Sequence, residues 1–203
     1  MPLVELTALT RPVTAWVVDM ALDQIAAWRR AGIGLRVSVN VSANNLREPD
    51  FAHRLARALE RRALPAEAIE LEFTESALIG DGGRVLEQLG QLRSMGVEIA
   101  IDDFGTGYST FSYLRTMPAD TVRLDQSFLR PLDTDAKARQ LVSSMIAMAH
   151  GLGLRVVAEG VETEAAREFL VECGCEEAQG YLFCRPVDPE ALERWLAAQA
   201  RPG

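Results

Sequence analysis

Two successive carboxylates, Asp102 and Asp103, close an apolar run and open a loop with two glycines, in Ile99-Ala100-Ile101-Asp102-Asp103-Phe104-Gly105-Thr106-Gly107-Tyr108. Acidic side chains at a strand end suit a divalent cation, because hard cations take carboxylate oxygen, and a mobile glycine loop beside them leaves room for a ligand. That combination points to phosphate chemistry. Further polar residues stand at or near the ends of other apolar runs: Asn40, Glu72 with Glu75, Asp125, Glu159 and Gln179.

Singly, most of these have an ordinary explanation, Asn40 as a turn residue and Asp102 as a cap or a solvated strand end. Glu72 is harder to dismiss. In Ile69-Glu70-Leu71-Glu72-Phe73-Thr74 the two acids alternate with Leu71 and Phe73, so they share one strand face. A carboxylate on a solvent-poor face must be paired or metal-bound, since an isolated buried charge is too costly. Jointly, an asparagine and several carboxylates at successive strand ends favour an oxygen-rich Mg²⁺ or Mn²⁺ site.

Other chemistries find less support. Thr110 stands where a dinucleotide fingerprint needs its third glycine, and no Gly-Lys-Ser/Thr follows to make a phosphate loop of the Walker type. There is no Gly-x-Ser-x-Gly elbow and no zinc-type histidine spacing. Cys173, Cys175 and Cys184 form an odd set, expected to be reduced, buried structural thiols, because only His53 and His150 are available to complete a metal site.

The elements that must position these residues alternate in type. Strands are predicted at Val37 to Val41, Ile69 to Phe73, Glu98 to Ile101, Thr121 to Leu124, Arg155 to Ala158 and near Ala178. Helices are predicted at Pro12 to Ala31, Pro49 to Arg62, Gly82 to Met95, Ser109 to Arg115, Asp135 to Gly151, Thr163 to Cys173 and Pro189 to Gln199. Gly32, Gly96 and Gly151 serve as stops, and Asp81, Ser109 and Thr163 occupy N-cap positions. Strand-helix alternation of this kind builds a parallel sheet covered by helices. In a (β/α)8 barrel the strand ends feed one catalytic face, so polar residues scattered over the whole chain would converge there.

The chain has 203 residues, 48% hydrophobic and 25% charged, enough for one globular domain over 1–203 with a sizeable core. Its formal charge of -8 and pI near 4.9 disfavour polymeric nucleic acid or an anionic membrane surface as partner. A small phosphate ligand bridged by metal remains compatible. With no transmembrane run and no signal-peptide pattern, the expected location is the cytoplasm.

Five segments carry a family resemblance: Ile101 to Tyr108, Val37-Ser38-Val39-Asn40-Val41-Ser42-Ala43, Leu71-Glu72-Phe73-Thr74-Glu75-Ser76, Val157-Ala158-Glu159-Gly160-Val161-Glu162-Thr163, and Gln179-Gly180-Tyr181-Leu182-Phe183. They closely resemble the EAL domain family, bacterial phosphodiesterases that open cyclic di-GMP to linear pGpG, and the match runs over essentially the whole chain. The resemblance implies a TIM-like (β/α)8 barrel holding two Mg²⁺ or Mn²⁺ ions, with water as the nucleophile. Asn40, Glu72, Asp102 and Asp103 fall on its metal-ligand positions, with Asp102 as the bridge. Glu159 falls on a carboxylate that holds metal or activates water, and Arg123 and Asp125 join it as catalytic positions. Gln179 falls on a metal-side position in cofactor binding, and Glu75 on the anchor of the loop Phe104 to Ser109. Signalling roles also follow by analogy: a homodimer, and upstream regulatory or GGDEF-type domains in the parent protein.

Two departures qualify that expectation. Met1-Pro2-Leu3-Val4-Glu5-Leu6 resembles the stretch downstream of the family's Glu-Ala-Leu segment, whose glutamate is a metal ligand. A full barrel of this type takes about 250 residues and eight strands, so a barrel truncated at its N-terminus, with about six strand-helix units, is expected. In Val122-Arg123-Leu124-Asp125, Arg123 stands where active members usually place lysine, and arginine is bulkier, forked and permanently charged. The reading is therefore a phosphodiesterase domain of impaired activity. The alternatives are a non-catalytic cyclic di-GMP-binding sensor, and a fragment with neither property.

Overall fold

The computed structural model describes residues 10–74, 82–106 and 115–199. Helix α1 (Thr10–Arg30) leads into strand β1 (Val37–Asn40), short helix α2 (Ala43–Leu46) and helix α3 (Phe51–Arg61). Strand β2 (Ile69–Thr74), helix α4 (Gly82–Ser94), strand β3 (Glu98–Phe104) and strand β4 (Thr121–Leu124) follow. The chain continues through α5 (Gln126–Leu129), α6 (Ala136–Gly151), β5 (Arg155–Glu159), α7 (Glu164–Glu172), β6 (Glu177–Gln179) and α8 (Pro189–Gln199). All six predicted strands are present, each within a few residues of its expected ends. The short helices α2 and α5 were not anticipated. Thr163 caps α7 as expected, accepting a hydrogen bond from Ala166 N at 3.1 Å. Asp81, Ser109, Glu75 and all but the last residue of the Ser109 to Arg115 helix lie outside the described residues.

The strands are all parallel and lie in sequence order β1-β2-β3-β4-β5-β6, the order of a barrel wall rather than of a doubly wound sheet. One ion pair shows how strongly that wall curls. Arg36, just before β1, reaches Glu177 at the start of β6 across 3.5 Å. In a flat sheet those outermost strands would stand ~24 Å apart, at ~4.8 Å per strand step. The six strands therefore form a curled half-barrel with helices packed outside.

Strand alternation divides apolar from polar residues between the two faces of this wall. Leu71 and Phe73 of β2, Ile99 and Ile101 of β3, Val122 and Leu124 of β4, and Val156 and Ala158 of β5 are all buried in the layer beneath the helices. They pack in one core with Leu22 and Ile25 of α1, Leu55 and Leu59 of α3, Leu89 and Leu92 of α4, and Ile146 of α6. The other parity carries Ser38, Asn40, Glu70, Glu72, Glu98, Asp102, Arg123, Arg155, Glu159, Glu177 and Gln179, which line the concave face. Burying an apolar side chain of this size contributes ~1.5–3 kcal/mol, so the outer layer holds the wall together and the inner face is left to chemistry.

The last strand is anchored by a contact that leaves no room for a side chain. Val161 N donates to Gln179 O at 3.0 Å and Leu182 N to Val161 O at 3.1 Å, which folds the chain after β6 against the end of β5. A Cβ on Gly180 would lie 2.1 Å from Val161 O and 2.3 Å from Val161 N, both backbone atoms that cannot turn away. Gly180→Ala is expected to lift β6 from β5 and lower stability by about 1–3 kcal/mol. Chemical denaturation measures it; a midpoint equal to wild type would refute the contact.

Candidate functional site

Register brings the polar strand ends to one rim. Asn40 is opposite Glu72, Thr74 opposite Asp102, and Glu159 opposite Gln179. Between β3 and β4 the ladder slips after Ile101, and Asp103 adopts a left-handed backbone with φ 54°. Acidic residues tolerate that region better than most. The slip interrupts strict alternation just where the two acids stand, with Asp102 half-buried and Asp103 exposed. Asp102 Oδ1 also accepts from the Asp103 amide at 2.9 Å.

Arg123, on β4, occupies the centre of the concave face and is only 6% exposed. Its Nη1 lies 2.8 Å from Glu72 Oε1 and 3.4 Å from Glu70 Oε1. Its Nε donates to Glu159 Oε1 at 2.6 Å, and its Nη2 to Gln179 Oε1 at 3.1 Å. One guanidinium thus joins side chains of β2, β5 and β6. The Glu72 contact is an ion pair without good hydrogen-bond alignment, and Glu72 Oε1 is buried without a hydrogen-bond donor among the described residues. Glu70 also accepts from Ser38 Oγ at 2.7 Å. Beneath it, Arg36 approaches Glu98 at 3.2 Å and Glu177 at 3.5 Å, while Arg155 pairs with Glu177 at 3.2 Å and with Glu98.

The rim is electrostatically tense. Burial pushes the Glu72 carboxyl above its ordinary range, with Asp102 and Glu70 adding to the rise and Arg123 opposing it. Glu159 is pushed up in the same way, by burial first and then by Asp102 and Asp103, again against Arg123. Asp103 also rises, through burial and the charges of Asp102 and Asp125. Asp125 moves the other way, because it caps α5 and accepts from Ser127 N at 2.9 Å. Asp102 thus acts on Glu72, Glu159 and Asp103, and Asp125 acts on Asp103.

Of the residues singled out from sequence, Asn40, Glu72, Asp102, Asp103, Arg123, Asp125, Glu159 and Gln179 all lie at this end of the wall; Glu75 lies outside the described residues. Asp125 turns out to have a structural task as a helix cap. The inner ion pairs of Arg36, Glu98, Arg155 and Glu177 were missed, although each stands two or four residues before a strand-end residue already chosen and hence on its face. Cys173, Cys175 and Cys184 are free and half-buried. Cys175 Sγ lies 3.4 Å from Val156 O and 3.3 Å from Glu177 O, and burial pushes its thiol up to about 11, so it is inert packing between β5 and β6.

The donor chemistry fits a hard divalent cation: carboxylate and amide oxygens on adjacent strand ends, one of them buried and unsatisfied. Among the described residues, however, no three histidine, cysteine or acidic side chains converge tightly enough to form a ready metal cluster. The physical reason is visible in the contacts, since Glu72 and Glu159 both turn an oxygen to Arg123.

The EAL domain family model matches residues 1–186. The cyclic di-GMP phosphodiesterase PA2567 of Pseudomonas aeruginosa is 45% identical over 195 residues, covering 96% of this chain and 33% of that protein. The bifunctional diguanylate cyclase/cyclic di-GMP phosphodiesterase MucR of Pseudomonas aeruginosa is 40% identical over 193 residues, covering 95% of this chain and 28% of that protein. A solved PaMucR phosphodiesterase in complex with c-di-GMP superposes with a TM-score of 0.88 at 40% identity, covering 94% of this chain and 78% of the other. The chain thus spans about a third or less of the length of these curated relatives.

The raised carboxyls give this site a pH signature. Because Glu72 and Glu159 tolerate their protonated forms better in the fold, their contribution to stability is complete below the ordinary glutamate value of 4.5. It is lost as pH rises through their raised folded values. In chelator, Glu72→Gln stays neutral and should flatten that decline, leaving its denaturation midpoint at pH 7 equal to or above wild type. A midpoint well below wild type at pH 7 would show that the Arg123 pair outweighs the burial.

Proposed function

Because the chain belongs to the EAL domain family, we propose that it acts as a cyclic di-GMP phosphodiesterase domain, using water to open one phosphodiester bond and release linear pGpG. The observation that carries the reading is the convergence of Asn40, Glu72, Asp102, Asp103 and Glu159 at one rim of a parallel half-barrel. These five residues would hold Mg²⁺ or Mn²⁺, which when bound supplies an acidified water and stabilises charge on the phosphodiester. The similarity to the PaMucR complex supports the choice of ligand.

Within this reading each residue has a task set by its surroundings. Asp102, whose charge raises the carboxyls of both Glu72 and Glu159, would be the ligand shared between ions. Glu159, with its raised affinity for a proton, is the group placed to accept one from the attacking water. Arg123 fixes the orientation of Glu72 and Glu159, and Gln179 stays near the rim through its bond to Arg123. Asp125 caps α5 directly after β4 and so fixes the start of that helix beside the rim. The reading extends to a cytoplasmic homodimer controlled by an upstream regulatory or GGDEF-type domain, in keeping with the double activity in MucR's name. No helix of the described residues is long and apolar enough to cross a membrane.

A second reading, a sensor that binds cyclic di-GMP without turnover, is favoured by one observation: Arg123 engages the carboxylates that the first reading assigns to metal. Incubation of the purified chain with cyclic di-GMP and Mn²⁺, with pGpG measured by chromatography, separates the two. Slow turnover is expected, impaired by the arginine at position 123, and Glu159→Gln should lower it by roughly 10²–10⁴-fold further, as loss of a general base does. Binding by calorimetry with no pGpG formed would favour the sensor.

A further inference from the structure

We infer that Arg123 is a resident counter-cation of the metal site: in the metal-free protein it pairs with Glu72 and Glu159, offsetting part of their charge, and competes with divalent ions for them. The inference rests on the assignment of those two residues as metal ligands. It concerns how the protein keeps such a site folded and how tightly the site takes its ion.

Three observations converge on it. First, the guanidinium reaches Glu72 at 2.8 Å, Glu159 at 2.6 Å and Glu70 at 3.4 Å, so one cation serves three acids from two strands. Second, Arg123 is 6% exposed and cannot shed its proton, so its charge is a fixed feature of the concave face. Third, no three acidic side chains of the described residues are gathered as a metal cluster, even though the rim is rich in them. Glu70, Glu72 and Glu159 each turn an oxygen to Arg123 instead.

The consequence follows from charge alone. Acids that are pulled together and buried need a cation at all times, because an unpaired buried carboxylate is strongly unfavourable. When no divalent ion is present, Arg123 supplies that charge. When one arrives, it meets a fixed positive group and ligands that must turn away from an existing partner, so its affinity is reduced. The fold thereby becomes independent of metal while the activity depends on it. A lysine at this position would weaken both effects, since a single ammonium on a flexible stem cannot serve Glu70, Glu72, Glu159 and Gln179 together.

The test compares wild type, Arg123→Met and Arg123→Lys as the full chain, with Mn²⁺ alone as probe. Methionine keeps an unbranched apolar stem and removes the charge. Calorimetry should show Mn²⁺ bound about tenfold or more tightly by Arg123→Met, the least expected when a unit charge is removed near a divalent ion. The lysine variant should fall between the two. Thermal melts supply a second readout: wild type should stay folded in chelator and gain only the small rise in melting temperature that a weak site gives by mass action, whereas Arg123→Met should melt far lower in chelator and gain much more from Mn²⁺.

If Arg123→Met folds in neither condition, Arg123→Lys decides, and a lysine variant with wild-type Mn²⁺ affinity overturns the inference. An Arg123→Met protein that binds Mn²⁺ no more tightly than wild type, or that Mn²⁺ does not rescue, overturns it as well, as does the absence of Mn²⁺ binding in every variant. Hydrolysis is scored separately at saturating Mn²⁺. Tighter binding in the variants without pGpG formation by wild type upholds the counter-cation and removes the phosphodiesterase reading.

Discussion

The concave face of this protein is governed by one requirement: carboxylates turned into the interior of a barrel wall must be neutralised there. Glu70 and Glu72 are each buried, and both lie on the inward parity of β2. Arg123 meets them from β4, two strands away, and continues to Glu159 on β5 and Gln179 on β6. The same curl that brings Arg36 to Glu177 turns these side chains toward one another. The curvature of the sheet and the pairing of its acids are therefore one condition seen from two sides.

A second tier repeats the arrangement nearer the strand starts. Arg36 and Arg155 each bridge Glu98 and Glu177, which draws the outermost strands toward each other without a hydrogen-bonded ladder between them. These side chains keep part of their surface in water, and pairs of that kind contribute ~0–1 kcal/mol each. Apolar burial between wall and helices, at ~1.5–3 kcal/mol for each large side chain, outweighs them by far. Stability comes from the outer layer. The inner charges set what the mouth of the wall can bind, and burial, with the neighbouring acids, leaves Glu72 and Glu159 with raised proton affinities as the residual cost.

Much of this was legible in the residues. Strands of period two, amphipathic helices between them and caps such as Thr163 followed from local physics, because Leu71, Ile99 or Val156 has one stable destination once its neighbours are polar. The rim residues were legible as well, since the first polar residue after an apolar run marks a strand end. The ion pairs of the inner face were not read, although Arg36, Glu98, Arg155 and Glu177 share parity with chosen residues. Their partners lie 22 to 141 positions apart in sequence, and no local rule says which charge meets which. The helix α5 escaped notice because four residues are too few for a periodic signal, and Asp125 could be recognised as its cap only once the turn was seen.

By itself, then, the sequence determined the class of fold, the inward and outward faces of each strand, and the group of acids that could hold a cation, because these depend on residue type and spacing alone. Tertiary structure decided what those acids do to one another. It placed a guanidinium among Glu70, Glu72 and Glu159, broke the alternation of β3 at Asp103, and assigned Asp125 to a helix end. The reason is physical: electrostatic partnership depends on distance through space, and only the assembled order of strands sets β2, β5 and β6 within two strands of Arg123.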